Sequence, residues 1–262
     1  MAHLTISLLG PFHASLDGKP IGGFESMKSR ALLAFLADEP GREHARTQLA
    51  DLLWPERPDV IALNNLRHVL ANLRKAIQDQ EASPPFLKID RQAIALDQAS
   101  DCSIDTQDFR RLVGGSYQCS GTGAAYAKDL EQAVALYRGD FLEAFLVDES
   151  AVFEEWLELH RELYRSLVLE ALSDLAEAGL AQADYGKAKA FARRQIEIEP
   201  GEEEAHRQLM RALALDGRRS EALLQYAACC AILKRELGVS PSQATTRLFE
   251  QIRADYQVFD RE

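Results

Sequence analysis

The spacing of apolar residues changes once along this chain, near residue 112, and that change restricts the folds open to it. Before this point, segments that alternate apolar and polar residues, typical of half-buried strands, are mixed with helical patterns. After it, the apolar residues follow the 3.6-residue period of a helix. Residues 112–123 are rich in Gly, Ser and Thr, as a linker is. The sequence thus predicts a mostly α protein in three segments: a mixed α+β domain over 1–112, a linker over 113–123 and an all-helical domain over 124–262.

The first domain is predicted to open with a small antiparallel sheet. Its strands lie at 4–9 and 12–16, with a short return strand over 19–21. Asp17-Gly18 joins the last two strands, and this dipeptide is a strong signal for a two-residue hairpin. Three helices and a second hairpin follow, and they are predicted over 26–38, 46–53, 59–78 and 86–96.

The second domain is predicted to contain a repeat. Its candidate helices are 124–138, 151–178, 184–198, 202–216, 219–236 and 242–257. Ala188 and Ala222 lie 34 residues apart, as do Leu175 and Leu209. This is the helix-turn-helix period of tetratricopeptide arrays. Ordinary helical packing, with two spacings that coincide by chance, is the alternative.

The third helix has one apolar side and one side without acidic residues. The inward side is predicted to hold Leu63, Leu66, Leu70, Leu73 and Ile77. The outward side is predicted to hold Asn64, Asn65, Arg67, His68, Ala71, Asn72, Arg74 and Lys75. No acidic residue occurs from 60 to 78, although the chain has 41 Asp and Glu. Arg, Lys and Asn bind phosphates and base edges. A solvated face that is neutral by chance is the alternative.

The hairpin after this helix carries Lys88 and Arg91. A helix packed on two others and followed by such a hairpin is the layout of a winged helix-turn-helix. In that fold one helix enters the major groove, and the hairpin touches the neighbouring DNA backbone.

The net charge of −11 is distributed unevenly. Residues 1–112 carry a net −2, whereas residues 113–262 carry a net −9. A non-specific nucleic-acid binder needs a positive surface, so this balance argues against one. We expect the acidic half to be repelled by DNA and to contact another protein.

Other classes of site are not supported by the sequence. The six histidines are scattered, no Gly-rich loop is followed by Lys-Ser or Lys-Thr, and no catalytic constellation is visible. We therefore expect no enzyme activity, no cofactor and no bound metal. The four cysteines form no CxxC motif and do not have the spacing of a disulfide framework. No segment is apolar enough for a signal peptide or a membrane span. A cytoplasmic location without a membrane partner is the simplest expectation.

Several stretches together resemble a known family. Lys28-Ser-Arg-Ala-Leu-Leu, Leu-Ala-Asp-Leu-Leu-Trp54-Pro-Glu and the segment from Asn64 to Lys75 resemble the OmpR-type winged helix of SARP-type bacterial activators. The second half resembles the bacterial transcriptional activator domain. The stretches that carry this second likeness are Tyr137-Arg-Gly-Asp-Phe-Leu, Phe153-Glu-Glu-Trp156, Ala192-Arg-Arg-Gln, Ala205-His-Arg-Gln-Leu-Met-Arg211 and Glu236-Leu-Gly-Val-Ser-Pro241.

The resemblance implies a transcriptional regulator that binds double-stranded DNA and engages RNA polymerase. We also expect a homodimer on repeated half-sites and an optional small effector. The residues implied in DNA binding are Asn64, Arg67, His68, Asn72, Arg74 and Lys75 on the third helix and Arg91 at the wing. Ala71 and Asn72 stand where related helices often carry Arg. Because the chain starts directly on its first strand, no receiver domain is expected before it. The alternative is a protein- or small-effector-binding helical module with a degenerate winged helix.

Overall fold

A computed structural model describes residues 2–118 and 124–254. This part of the chain is mostly helical, as predicted, with small sheets in its first half. The contacts divide the chain into two compact units. Unit 1 contains residues 1–114 and 135–164, and unit 2 contains residues 115–134 and 165–262.

Unit 1 begins with four short strands, which are β1 (Leu4–Ser7), β2 (Gly10–Pro11), β3 (His13–Leu16) and β4 (Lys19–Pro20). β1 pairs antiparallel with β3, with Leu4 opposite Leu16, and parallel with β8 (Cys102–Ile104). The sheet order is β4-β3-β1-β8. Asp17 and Gly18 both have positive φ angles, 50° and 76°, as a tight hairpin turn requires. The predicted turn is therefore confirmed.

Three helices and a hairpin then form the winged helix. The helices are α1 (Met27–Asp38), α2 (Arg46–Leu53) and α3 (Asp59–Ala76), and the strands are β5 (His44–Ala45), β6 (Leu87–Ile89) and β7 (Ala93–Leu96). The three strands form a second sheet in the order β5-β7-β6. α3 packs against both α1 and α2. The hairpin β6–β7 is the predicted wing.

The end of unit 1 differs from the predicted boundaries. α4 (Asp105–Gln118) continues through 113–118, the first half of the predicted linker, and residues 119–123 lie outside the described part. The prediction of helices alone after the linker is wrong at β9 (Phe141–Glu143), which pairs parallel with β2. Sequence periodicity missed β9 because a three-residue strand is too short to show alternation.

Aromatic packing explains why residues 135–164 belong to unit 1. The fully buried ring of Phe141 stacks on Tyr164 at 5.1 Å between centroids. Trp156 packs on Phe35 of α1 at 5.1 Å, and Tyr164 packs on Phe109 of α4 at 6.0 Å. A chain cut at residue 112 would lose these partners. The compact unit of the structure therefore extends beyond the domain boundary drawn from the sequence.

A buried carboxylate, that of Asp38 at the end of α1, organises the same region. It accepts hydrogen bonds from Arg110 at 2.8 Å and from the Tyr164 hydroxyl at 2.5 Å, and His160 Nε2 lies 3.2 Å away. Burial alone would raise the pKa of Asp38, but these partners outweigh it and lower that pKa. Asp38 therefore holds a negative charge inside unit 1.

His160 is a second cationic partner of that charge, beside Arg110. Its Nδ1 lies 2.7 Å from the carbonyl oxygen of Trp156, and its Nε2 faces Asp38. Both neighbours accept hydrogen bonds, so only the doubly protonated ring satisfies both. Burial disfavours this charged form, yet the hydrogen bonds to Asp38 and Trp156 prevail and raise the pKa of His160.

Unit 2 is built from helices. α5 spans Ala124–Leu136 and α6 spans Ala151–Ala181, so α6 contributes to both units. The others are α7 (Tyr185–Ile198), α8 (Glu203–Leu215), α9 (Arg219–Glu236) and α10 (Gln243–Ala254). α8 packs against both α7 and α9. Within the described residues, no helix combines the length and apolar character needed to cross a bilayer.

The residues that indicated a 34-residue repeat all lie in the core of unit 2. Leu175, Ala188, Leu209 and Ala222 are each no more than 3% exposed. α6 and α7 approach closely, because a methyl group added to Gly179 would lie 3.0 Å from the Ala188 amide nitrogen. Small residues are needed at this crossing, as the tetratricopeptide-like prediction requires.

The pair formed by His160 and Asp38 predicts a loss of stability at alkaline pH. A raised histidine pKa stabilises the fold fully below the ordinary value of about 6.5, and the contribution disappears as pH rises through the raised value. Between about pH 6 and about pH 9, the wild type should lose roughly 1–2 kcal/mol more unfolding free energy than His160→Gln does. Urea unfolding at each pH measures this difference. His13→Gln, at an exposed histidine, should behave as wild type, and parallel pH profiles for His160→Gln and wild type would contradict the assignment.

Candidate DNA-binding surface

α3 has one buried and one exposed side. The buried side packs into unit 1 and consists of Ala62, Leu66, Leu70, Leu73 and the adjoining Ile77, each no more than 6% exposed. The opposite side carries five exposed residues that the sequence predicted to face outward: Asn64, Arg67, His68, Ala71 and Lys75. These five residues form the outer strip of α3. No acidic side chain interrupts it, since α3 has its one acidic residue, Asp59, in its first turn.

Asn72 does not lie on this strip, and its predicted outward position is wrong. It is 8% exposed, and its side-chain oxygen accepts a hydrogen bond from the Glu25 amide at 3.1 Å. Its side-chain nitrogen donates to the Gly23 carbonyl at 3.2 Å. The loop before α1 covers this side of α3. Periodicity within one helix cannot reveal such a loop, because the covering residues lie about 50 positions away.

Arg74 is occupied by an ion pair. Its Nε donates to the carboxylate of Asp79 at 3.0 Å, and Asp79 is buried. The other carboxylate oxygen accepts the amide of Leu87, the first residue of β6, at 2.9 Å. Arg74 and Asp79 therefore connect the end of α3 to the start of the wing, so Arg74 is a positioning residue in this structure.

The wing tip holds Arg91 in solvent. The Asp90 carboxylate accepts hydrogen bonds from the amides of Ala93 and Gln92, both at 2.6 Å, and these bonds lower the pKa of Asp90. The Arg46 guanidinium donates to the Asp90 carbonyl at 2.9 Å. Arg46 also joins the backbone of the wing, because its amide donates to the Gln92 carbonyl at 2.9 Å. The first residue of α2 thus fixes the wing against the helices.

Three arginines converge on one cleft between α3 and the wing. The cleft has a volume of about 420 Å³, and its lining includes Arg46, Arg67 and Arg91. Arg67 and Arg91 were both predicted site residues, and the structure brings them together. Arg46 was missed, because only the pairing of β5 with β7 carries it to the wing. Lys88, on the same hairpin, is instead paired with Glu43 at 2.6 Å.

The turn between α2 and α3 is held by bonds to the Leu53 carbonyl. This oxygen accepts hydrogen bonds from Lys28 Nζ at 2.7 Å and from the Ser150 hydroxyl at 2.8 Å. Lys28 also lies over the Trp54 ring, 4.9 Å from its centroid, and burial lowers the pKa of Lys28. The start of α3 is therefore fixed both by α1 and by the segment that precedes α6.

In residues 2–118 and 124–254, no group of three or more His, Cys, Asp or Glu is placed to hold a metal ion. Burial raises the pKa of Cys102 to about 12 and that of Cys229 to about 11, so both thiols stay protonated. Cys119 lies outside the described residues.

Truncation of Asn72 should destabilise the fold, whereas truncation of Arg67 should not. Asn72→Ala leaves the Gly23 carbonyl and the Glu25 amide without their partner, which should lower the unfolding free energy by about 1–3 kcal/mol. Arg67→Ala removes an exposed side chain from the outer strip, so its effect should stay within about 0.5 kcal/mol. Denaturant titration of the two variants measures both values. Equal stability of Asn72→Ala and wild type would show that the buried amide does not hold the loop.

Two family models match the chain. The model of the bacterial transcriptional activator domain covers residues 104–253, more than half of the sequence. The model described as transcriptional regulatory protein, C terminal, covers residues 26–93, which hold α1 to α3 and most of the wing.

Curated relatives match along nearly the whole chain. The transcriptional regulator RedD of Streptomyces coelicolor is 28% identical over 265 residues, covering 96% of this chain and 71% of RedD. The regulatory protein AfsR of the same organism is 28% identical over 251 residues, covering 95% of this chain but 24% of AfsR. The chain thus spans about a quarter of the length of AfsR.

A solved structure shows the same fold. It is that of Mycobacterium tuberculosis EmbR in complex with a low-affinity phosphopeptide, and it matches with a TM-score of 0.75 at 24% sequence identity. The match covers 97% of this chain and 66% of the EmbR chain. With an OmpR-type winged helix ahead of a bacterial transcriptional activator domain, this chain belongs to the SARP-type family of bacterial transcriptional regulators.

Proposed function

We propose that the chain activates transcription by binding specific duplex DNA, with α3 in the major groove and the wing on the adjacent backbone. The observation that carries the proposal is the cleft in which Arg67 of α3 meets Arg91 of the wing, beside a helix face without acids. A helix is about 10–12 Å wide, and the major groove is about 12 Å wide. α3 can therefore enter the groove with its outer strip against the base edges.

The residues divide into two roles on this proposal. Arg46, Arg91 and Lys75 supply positive charge to phosphates and fix the register of the protein on the duplex. Asn64, Arg67 and His68 reach base edges, since Asn and Arg can form paired hydrogen bonds with adenine and guanine. Asn72 and Arg74 act behind this surface, through the loop and the wing that they hold.

The charge balance favours specific over non-specific binding. Residues 1–112 have a net charge of −2, so attraction to phosphates comes from a few local cations. Without a broad positive field, affinity for arbitrary sequences should be weak. Contacts to base edges then provide most of the difference between a target site and other DNA.

Removing Arg91 should change how binding depends on salt, whereas removing Arg67 should change affinity and base preference. Each phosphate contact contributes about 0.9 to the slope of log K against log salt concentration, so Arg91→Ala should flatten the slope by about one unit. Arg67→Ala should weaken binding and relax the preference at one base pair by about 1–3 kcal/mol. Fluorescence anisotropy on a duplex selected from a random library measures both effects.

A matched control is available in unit 2. Arg193→Ala removes the same charge from an exposed position on α7, and it should leave both slope and specificity unchanged. If all three variants bind the selected duplex as the wild type does, α3 and the wing are not the DNA-binding surface.

Activation is assigned to the acidic half of the chain. Residues 113–262 carry a net −9, so DNA repels this part, and helical arrays of this class commonly bind protein partners. We propose that it contacts RNA polymerase, with two copies of the chain bound on repeated half-sites. Two bound copies contact two half-sites, so the recognised DNA sequence is longer than the short segment that one α3 can contact.

A truncation at the unit boundary separates binding from activation. A chain ending at Tyr164 keeps all residues of unit 1, including β9 and the start of α6. A chain ending at residue 112 lacks β9 and the start of α6. The 1–164 chain should recognise the same duplex in vitro and fail to activate a promoter–reporter fusion. Activation by 1–164 equal to that by the full chain would contradict the role given to the helices beyond residue 164, since 1–164 keeps the acidic residues of 135–164 in unit 1.

A further inference from the structure

Val60, in the first turn of α3, points its apolar side chain largely into solvent. It is 81% exposed, more than any other large apolar residue of the described part. Its neighbour Ile61 is 50% exposed. Single exposed apolar residues are common on protein surfaces, so exposure alone carries no conclusion.

The position of Val60 on α3 adds a second observation. Val60, Asn64, Arg67, Ala71 and Lys75 follow one another at spacings of four, three, four and four, so they lie along one face of the helix. All five are exposed. Val60 therefore extends the outer strip toward the N-terminus of α3. The N-terminal residues of a recognition helix are those that contact base edges.

We propose that Val60 is a specificity-determining residue that contacts the C5 methyl group of a thymine in the major groove. The inference rests on the proposed function, because it requires α3 to lie in the groove. Thymine is the one base that presents a methyl group there, and apolar side chains are the groups that contact it. Ala71 lies on the same face of α3, about three helical turns after Val60, and offers a second and smaller apolar contact.

The chemistry of valine makes this contact selective. Its side chain has neither a donor nor an acceptor, so it leaves the amino group of cytosine or the oxygen of guanine without a partner once water is displaced. Its branched Cβ restricts χ1, so little rotamer freedom is lost on binding. A thymine methyl group, in contrast, loses no hydrogen bond on contact with valine.

The test removes the methyl group from the DNA and the side chain from the protein. The full chain is bound to a duplex selected from a random library, and each thymine in turn is replaced by deoxyuridine, which lacks the C5 methyl group. At one thymine per half-site, wild-type affinity should fall about fourfold, the factor that corresponds to burying one methyl-sized group. Val60→Ala should bind the two duplexes equally, within about 1.5-fold, so the effects are not additive.

Leu159→Ala supplies the control. Leu159 is 71% exposed on α6, so its truncation removes a similar apolar surface away from α3. This variant should keep the fourfold preference for thymine over deoxyuridine. Unfolding curves of both variants should match the wild type, which excludes misfolding as the cause of any loss.

The outcomes separate this inference from the proposed function. In one outcome, the chain binds a selected duplex tightly while no replacement of thymine by deoxyuridine lowers its affinity. That result overturns the role of Val60 and leaves DNA binding intact. A fourfold preference that persists in Val60→Ala likewise overturns it. If no duplex is selected at all, the proposed function fails, and this inference fails with it.

Discussion

The burial of one row of apolar side chains sets the rotation of α3 about its own axis. Ala62, Leu66, Leu70 and Leu73 are nearly inaccessible to solvent because they pack against α1 and α2. Rotating α3 by a quarter turn about its axis would expose several of these side chains, at a cost of about 1.5–3 kcal/mol for each large one. The same packing therefore fixes which residues face outward. The buried row on the opposite side of α3 holds Asn64, Arg67, Ala71 and Lys75 toward solvent.

The surroundings of α3 explain why the winged helix needs residues beyond the predicted boundary. The Leu53 carbonyl before α3 accepts a hydrogen bond from Ser150, and the rings of Phe141 and Trp156 fill the core of the same unit. Asp38 adds a buried charge, which is stable only while its partners remain in place. The surface that we assign to DNA and the start of α6 are consequently parts of one compact unit.

Much of this arrangement could be predicted from the sequence, because the period of the apolar residues indicates which side of a helix is buried. The row from Leu66 to Leu73, the Asp17-Gly18 turn and the wing at Arg91 follow from local rules of spacing and turn chemistry. Leu63, predicted to face inward, is instead half-buried and lines the cleft beside the wing. The errors have a common cause, which is contact between distant residues. Asn72 is buried by a loop that ends before residue 26, and Arg46 reaches the wing through strand pairing. β9 is formed by pairing with β2 across about 130 residues, and no local pattern encodes such a contact.

We propose that the outer strip of α3 lies against bases in the major groove. A photo-cross-linking side chain at Ala71, the small exposed residue in the middle of the strip, tests it most directly. On the selected duplex, cross-links to major-groove bases within the binding site are expected from position 71. None are expected from the same group at Leu224 of α9, which is 69% exposed. Absence of base cross-links from position 71, while the protein remains bound to the duplex, would contradict it.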